Sequence, residues 1–143
     1  MTIHQISVFL ENKAGQLAEI TGILADNNID LRAINIAETA DYGVLRLIVC
    51  DAPKASAILL QHGFILTMTP VVAVAVADQP GGLAGVLKLL PEAGIDVEYM
   101  YSIFGQVDGK AHMVFRVADP DNLVAVLKSH GYEPSSAEHL GIA

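Results

Sequence analysis

The sequence predicts an α+β fold built from two copies of one unit, each with the order strand–helix–strand–strand–helix–strand. Residues 6–34 align with residues 72–100 without a gap at a shift of 66. Residues 43–64 align with residues 111–132 at a shift of 68, so the second copy has two extra residues in its central hairpin. Apolar residues alternate and then recur at helical spacing at the same places in both copies. Such a unit closes most simply as a ferredoxin-like antiparallel sheet of four strands with both helices on one face.

The first strand and first helix of each copy are predicted from the period of their apolar residues. A turn that contains Gly15 in one copy and Gly81 in the other separates the strand from the helix. Each helix leads to a residue that tolerates the left-handed conformation, Asn28 or Gly94. The matching apolar residues are Ile6, Val8, Leu10, Leu17, Ile20 and Leu24 in the first copy and Val72, Val74, Val76, Leu83, Val86 and Leu90 in the second.

The second helix of each copy carries start and stop signals at equivalent places. Asp51 and Asp119 stand where a helix N-cap is wanted, and a proline follows each in the first turn. A His-Gly pair then closes each helix, at 62–63 and at 130–131. These signals predict two domains, residues 1–69 and 70–143, that meet at Pro70 without a low-complexity linker.

Composition limits the classes of function. Of the 143 residues 52% are hydrophobic and 17% are charged, and the mean hydropathy is +0.46. This excludes a disordered chain and suggests more apolar surface than so short a chain buries alone, so we expect a homo-oligomer. Composition does not set the number of subunits, and a homodimer is the oligomer that we expect. The net charge of −8 repels a phosphate backbone, so nucleic acid is not an expected partner.

The sequence predicts a cytoplasmic protein with no membrane association. Cys50 is the single cysteine, which excludes an intrachain disulfide and a cysteine-based zinc cage. The N-terminal residues lack the pattern of a signal peptide. The longest apolar stretch, Val71 to Ala77, is far shorter than the roughly 20 residues that span a bilayer.

Two short motifs resemble those of the ACT domain, a family of regulatory modules. The resemblance covers residues 4–132. DQPGGL (78–83) with GID (94–96) matches the family's Asp-x-Pro-Gly-x-Leu turn and Gly-Ile-Asp strand entry closely. NKAGQL (12–17) with NID (28–30) departs by Asn for Asp, Ala for Pro and Asn for Gly. The resemblance implies a small ligand, most often an amino acid, bound at interfaces between paired domains.

The two glycine turns are the predicted binding sites. Glycine leaves the main chain uncovered just before a helix, where the first N–H groups lack partners and attract a carboxylate. Asn12 and Asp78 either accept from a ligand ammonium or hold the turn closed. If the domains pack as in the family, Asn35 and Tyr101 at the ends of the second strands form the opposite wall. The predicted ligand-binding residues are Asn12, Ala14, Gly15, Gln16, Leu17 and Asn35 in the first copy, and Asp78, Pro80, Gly81, Gly82, Leu83 and Tyr101 in the second. The closer match of the second turn predicts tighter binding there, unless the Gly15 turn is the one that a partner's strand completes.

Catalytic motifs are missing from the sequence. It has no phosphate-binding Gly-x-x-x-x-Gly-Lys-Ser/Thr loop and no His-Glu-x-x-His pattern. His139 lies in a C-terminal tail, where the sequence indicates no partner for it. We therefore expect no enzymatic activity, no cofactor and no bound metal. The favoured function is a free-standing regulatory protein that binds an amino acid or related metabolite. The alternative is a regulatory subunit that acts through a partner biosynthetic enzyme, with a degenerate ligand site.

Overall fold

The computed structural model describes residues 1–11, 14–38 and 41–142. Its elements within those ranges confirm the α+β class and follow the predicted order with two differences. The last strand of the first copy and the first strand of the second form one continuous strand, and the last predicted strand of the second copy is not formed as a strand. In chain order they are β1 (Ile3–Glu11), α1 (Gln16–Asp26), β2 (Leu31–Glu38), β3 (Tyr42–Val49), α2 (Ala52–Gln61), β4 (Ile65–Ala77), α3 (Gly82–Leu87), β5 (Val97–Ser102), β6 (Lys110–Val117) and α4 (Pro120–Ser129).

The chain divides into two compact units. The first unit comprises His4–Thr69 together with the described end of the tail, 141–142, and the second comprises Met1–Ile3 and Pro70–Leu140. The division falls inside β4, which continues through Pro70 as one strand of 13 residues. Pro70, which marks the predicted domain boundary, therefore does not interrupt the strand.

In the first unit, strands pair antiparallel around β3. Val8 of β1 pairs with Leu45 of β3, and Leu45 pairs with Ile36 of β2. The Ser7 and Thr69 hydroxyl oxygens lie 2.9 Å apart, so the start of β4 lies beside β1. Helices α1 and α2 cover one face of this sheet, and burial of their apolar residues supplies the main stabilisation. The core comprises Ile6, Val8, Leu10, Ile20, Leu24, Ile29, Leu45, Leu47, Val49, Ala52, Ala55 and Leu59.

In the second unit, β6 takes the central place. Val74 of β4 pairs with Met113 of β6, and Met100 of β5 pairs with Phe115 of β6, both antiparallel. The predicted fourth strand is reduced to one bridge between Val74 and Pro134, because proline has no N–H to extend the pairing. The core comprises Val72, Val74, Val76, Val86, Leu90, Phe115, Val117, Leu123, Val124 and Leu127.

Helices α2 and α4 begin and end at the predicted residues. The Asp51 carboxylate accepts from the Lys54 N–H at 3.1 Å, and Asp119 caps α4 in the same way. Each helix closes at a glycine with positive φ, Gly63 at 85° and Gly131 at 83°. The N-cap and C-cap predictions are therefore confirmed.

Helix α3 is shorter than the apolar spacing predicts. It ends at Leu87 after six residues, and the chain continues with i→i−3 hydrogen bonds such as Leu90 N–H to the Leu87 carbonyl. Pro91 explains the early end, because it supplies no N–H and disfavours the helical conformation of the residue before it. Leu90 is nevertheless buried in the core of the second unit.

Cys50 follows β3 in the first unit, where its half-buried side chain packs against the core. Its sulfur accepts from the Asp30 N–H at 3.2 Å, while its own N–H donates to the Asp30 carbonyl at 3.0 Å. Among the described helices, none is both long enough and apolar enough to cross a lipid bilayer.

Candidate ligand-binding turns

The second glycine turn, residues 78–83, is held tightly by its own main chain. The Gln79 N–H donates to the Ala77 carbonyl at 2.9 Å, and the Gly82 N–H donates to the Gln79 carbonyl at 3.0 Å. Gly81 has φ of 87°, which favours glycine. A Cβ at Gly82 would lie 1.9 Å from the Ala77 oxygen, so only glycine fits there.

A cavity of about 580 Å³ lies beside this turn. It is lined by Pro80, Gly81 and Gly82 of the turn, and also by Lys110 at the start of β6 and by Glu133 after α4. A Cβ at Gly81 would meet no heavy atom within 4 Å, so open space lies in front of this residue. The cavity thus combines an accessible main chain with one cationic and one anionic side chain.

The other two predicted residues of this turn play different parts. The Asp78 carboxylate accepts from the Gln106 side-chain amide at 2.5 Å and thereby ties the turn to the β5–β6 hairpin. Leu83 packs against the core of the second unit. Neither is among the residues that line the 580 Å³ cavity.

The first glycine turn has the same backbone geometry. Gly15 has φ of 89°, and its carbonyl accepts from the Glu19 N–H at 2.9 Å to begin α1. A cavity of about 470 Å³ is lined by Ala14, Gly15, Gln16 and Leu17. The structure therefore brings four predicted residues together here, whereas Asn12 lies outside the described residues.

The first cavity differs from the second in chemistry. Its charged lining residues within the described chain, Glu11 and Glu38, are both acidic. Leu17 and Ile36, which also line it, are exposed to solvent. The Gln16 side-chain oxygen is buried without a hydrogen-bond partner among the described residues.

Asn35 and Tyr101 do not reach the turns. The Asn35 side-chain oxygen accepts from the Arg46 guanidinium at 3.0 Å. The Tyr101 side chain is buried and stacks on Tyr99, with ring centroids 6.4 Å apart. Neither residue lines a cavity beside either turn in the described part of the chain.

Lys110 and Glu133 are the charged lining residues of the second cavity, and the sequence interpretation missed both. A signal for Lys110 was present, because the antiparallel register of β4 and β6 pairs Ala77 with Lys110 and so carries its side chain to the turn. The Asp108-Gly109 turn sets that register, with φ of 53° and 73°. Glu133 gives no such signal, since it lies in irregular chain after α4.

The whole arrangement matches one known class of regulatory module. The family model described as an ACT domain pair matches residues 1–133, so the chain belongs to the ACT domain pair family. Membership of this family indicates a regulatory role. No curated protein matches the chain at a significant level.

Solved structures share the fold. Protein BT0572 from Bacteroides thetaiotaomicron is 42% identical, with a TM-score of 0.90, and the match covers 99% of this chain and 96% of that chain. The regulatory subunit of aspartate kinase from Thermus thermophilus, in its ligand-free form, is 14% identical with a TM-score of 0.60, covering 90% of this chain and 92% of that one. The same subunit from Thermus flavus is 13% identical with a TM-score of 0.56, covering 88% and 90%. At such identities the two kinase subunits establish a common fold.

Proposed function

We propose that this protein is a non-catalytic, cytoplasmic regulatory protein that binds a small amino acid or related metabolite at its second glycine turn. The observation that carries the proposal is the 580 Å³ cavity, in which an uncovered turn faces Lys110 and Glu133. Its volume lies within the roughly 300–1,000 Å³ typical of ligand pockets. The proposal retains the two domains, 1–69 and 70–143, and requires no cofactor and no nucleic acid.

The charges suit a zwitterion. The ligand carboxylate approaches the main chain at Gly81, where the absent side chain allows close contact, and the Lys110 ammonium adds a second positive charge. The ligand ammonium is then left for the Glu133 carboxylate. Because α3 has only six residues, Lys110 contributes more of the attraction than the dipole of so short a helix.

The first turn carries a different part of the proposal. Its cavity offers two acidic side chains among the described residues and exposed apolar side chains at Leu17 and Ile36. A zwitterion is less well matched there, so we expect the second turn to bind more tightly. The apolar surface suits a second copy of the chain, which makes the protein a homodimer. A ligand that favours one packing of paired domains over another then acts allosterically.

A second candidate function rests on the same exposed residues. Leu17 and Ile36, with Tyr42 nearby, suit contact with a larger partner enzyme as well as with a second copy. Two of the similar structures are regulatory subunits of aspartate kinase, and that likeness supports this alternative. In this alternative the ligand site is degenerate.

Thermal unfolding of the purified protein against each of the twenty amino acids tests the proposal. A ligand at about a hundred times its Kd adds about 2.7 kcal/mol to the free energy of unfolding, which raises Tm by several degrees. Gel filtration alongside measures the oligomeric state. A selective rise supports the ligand-binding function, and no rise with any amino acid supports the partner-enzyme alternative.

Three matched glycine variants locate the site. Gly81→Val fills the open space of the second cavity and should abolish the ligand-induced rise in Tm. Gly63→Val has nearly the same φ, 85° against 87°, but lies away from both turn cavities, so it reproduces the backbone strain alone. Gly15→Val tests the first turn. An undiminished rise in Gly81→Val would place the ligand elsewhere.

A further inference from the structure

A separate cavity of about 370 Å³ lies on the face of the second unit's sheet that the helices do not cover. Val74 of β4 and Phe115 of β6 point into the helix-covered core, so the alternating residues Ala75 and His112 face the other way. Ala75 and His112 are paired across the two strands and both line this cavity. We call it the His112 cavity.

His112 is buried without a hydrogen-bond partner. Its exposed fraction is 2%, and neither ring nitrogen makes a hydrogen bond of acceptable geometry with a described residue, although the Lys110 main chain lies close enough to act on the charge of the ring. Leaving a buried polar group unpaired is costly because the group has lost its hydrogen bonds to water, so nearly all such groups in folded proteins have a partner. A side chain of this kind at the wall of a cavity indicates that a partner enters the cavity.

The C-terminal tail forms the other side of the His112 cavity. The Ser135 N–H donates to the Ala73 carbonyl at 2.8 Å and holds the tail beside β4. His139 places its Nε2 atom 2.9 Å from the Asp108 carboxylate, and its ring centroid lies 6.2 Å from that of His112. The Asp108 carboxylate thus already has a partner in the His139 ring.

Several charged groups act on the His112 ring. Burial lowers the pKa of His112 from its usual 6.5, and His139 and the Lys110 ammonium act in the same direction. The main chain of Lys110 and the Asp108 carboxylate favour the protonated ring and partly oppose this shift. Glu133 also lines the cavity. The ring is therefore neutral near pH 7. The Lys110 main chain and the Asp108 carboxylate lie close enough to stabilise its protonated form.

We propose that the His112 cavity binds a small organic carboxylate, and that binding is coupled to uptake of one proton by the His112 ring. The proton comes from solvent, and a neutral imidazole and a carboxylate anion become an imidazolium–carboxylate pair with no net charge. One ring N–H then donates to the ligand, and the other faces the main chain of Lys110. The Lys110 ammonium lies at the same cavity and adds to the attraction.

A carboxylate fits better than a cation. Three lining side chains have basic character, Lys110, His112 and His139, and two are acidic, Asp108 and Glu133. The Asp108 carboxylate is already paired with His139, which leaves Glu133 as the acidic side chain without that pairing. Among the described residues no cluster of His, Cys, Asp and Glu has the arrangement of a metal site. The inference does not rest on the proposed function at the second turn, although both cavities share Lys110 and Glu133.

The experiment follows the ring signals of His112 by NMR in the full chain with 13C-labelled histidine. Acetate, propionate and succinate are the probes, and acetamide is the neutral control. We expect the carboxylates to move the His112 signals toward those of the protonated ring and to bind about tenfold more weakly for each unit of pH above the His112 pKa. Acetamide should leave the signals in place. If the His112 signals change with pH but not on addition of any carboxylate, the cavity binds only water, and that result would overturn the proposal.

Variants separate this site from the turn. His112→Gln, which retains a polar side chain, should lose the pH dependence of carboxylate binding, followed by the His139 signals or by calorimetry. His62→Gln is the matched control, since His62 lies at the exposed end of α2, and it should bind as the wild type does. Gly81→Val blocks the turn cavity and should leave carboxylate binding at His112 intact. Equal, pH-dependent binding by His112→Gln would refute the site, whatever happens at the turn.

Discussion

The two glycine turns share one backbone path but differ in the residue that follows. Gly15 and Gly81 have φ of 89° and 87°, so the main chain bends in the same way at both turns. In the second turn the next residue is Gly82, which packs against the Ala77 carbonyl with no room for a Cβ, whereas in the first turn it is Gln16. The same fold position therefore supports a closely packed turn in one unit and a bulky polar side chain in the other.

A second comparison concerns the sheet faces that the helices leave uncovered. In the first unit Phe9 pairs with Val44, and in the second the equivalent pair is Ala75 with His112. Phe9 is 44% exposed, while His112 is almost fully buried beneath the tail. Replacing an aromatic side chain by alanine leaves space for the His112 cavity, so a difference at two positions separates an exposed apolar surface from a cavity with a buried histidine in its wall.

The largest effect is expected from Gly82→Ala. The new Cβ meets the Ala77 oxygen, so the turn must move, and we expect the free energy of unfolding to fall by about 4 kcal/mol. Gln16→Ala at the equivalent position should cost less than about 1 kcal/mol, because the smaller side chain creates no clash and removes a buried oxygen that has no hydrogen-bond partner in the described part of the chain. Urea unfolding measures both. Similar losses would mean that the two turns pack alike.

A smaller effect is expected from Leu59→Ala and Leu127→Ala. These leucines occupy equivalent positions, and each is fully buried in the core of its own unit. Each truncation should lower the free energy of unfolding by about 3 kcal/mol through lost burial and the cavity left behind. Denaturant melts give the comparison. A much smaller loss in one unit would show that its core collapses around the missing side chain and that the units differ in packing as well as at their turns.

The smallest effect is a pH dependence confined to the second unit. Because burial lowers the pKa of His112 in the folded protein, the unfolded chain binds more protons just below pH 6.5. The free energy of unfolding should therefore decrease as the pH falls from 6.5 through the pKa that His112 has in the folded protein. His112→Val copies Val44 of the first unit and should be less sensitive to pH over that window. Melts at pH 5 to 8 measure the difference, and parallel curves would contradict it.

Repetition made most of the fold predictable from the sequence. Start and stop signals such as Asp51 and Gly63 act locally, so the sequence alone defines the helix ends. The early end of α3 and the single bridge at Pro134 depend on hydrogen bonds that proline cannot make, which the apolar spacing does not reveal. The spacing of apolar residues indicates which side chains are buried, but it does not indicate which main-chain hydrogen bonds of the helix form.

The candidate site was less predictable than the fold. Ala14, Gly15 and Gly81 belong to the turns themselves, so local sequence is enough to place them at the cavities that they line. Lys110 reaches the second turn through strand pairing, and the resemblance that suggested Asn35 says nothing of its bond to Arg46. Residues contributed by distant segments depend on register and side-chain direction, which short motifs do not encode.

Cys50 gives the first unit an internal kinetic reporter. Its thiol is the only one in the sequence, and in the folded chain it is half-buried and accepts the Asp30 N–H. A thiol reagent therefore labels each chain at one position, at a rate that follows how often this part of the first unit opens. Comparing that labelling rate with and without ligand would reveal whether ligand binding in the second unit changes how often the first unit opens at Cys50. The comparison requires no substitution.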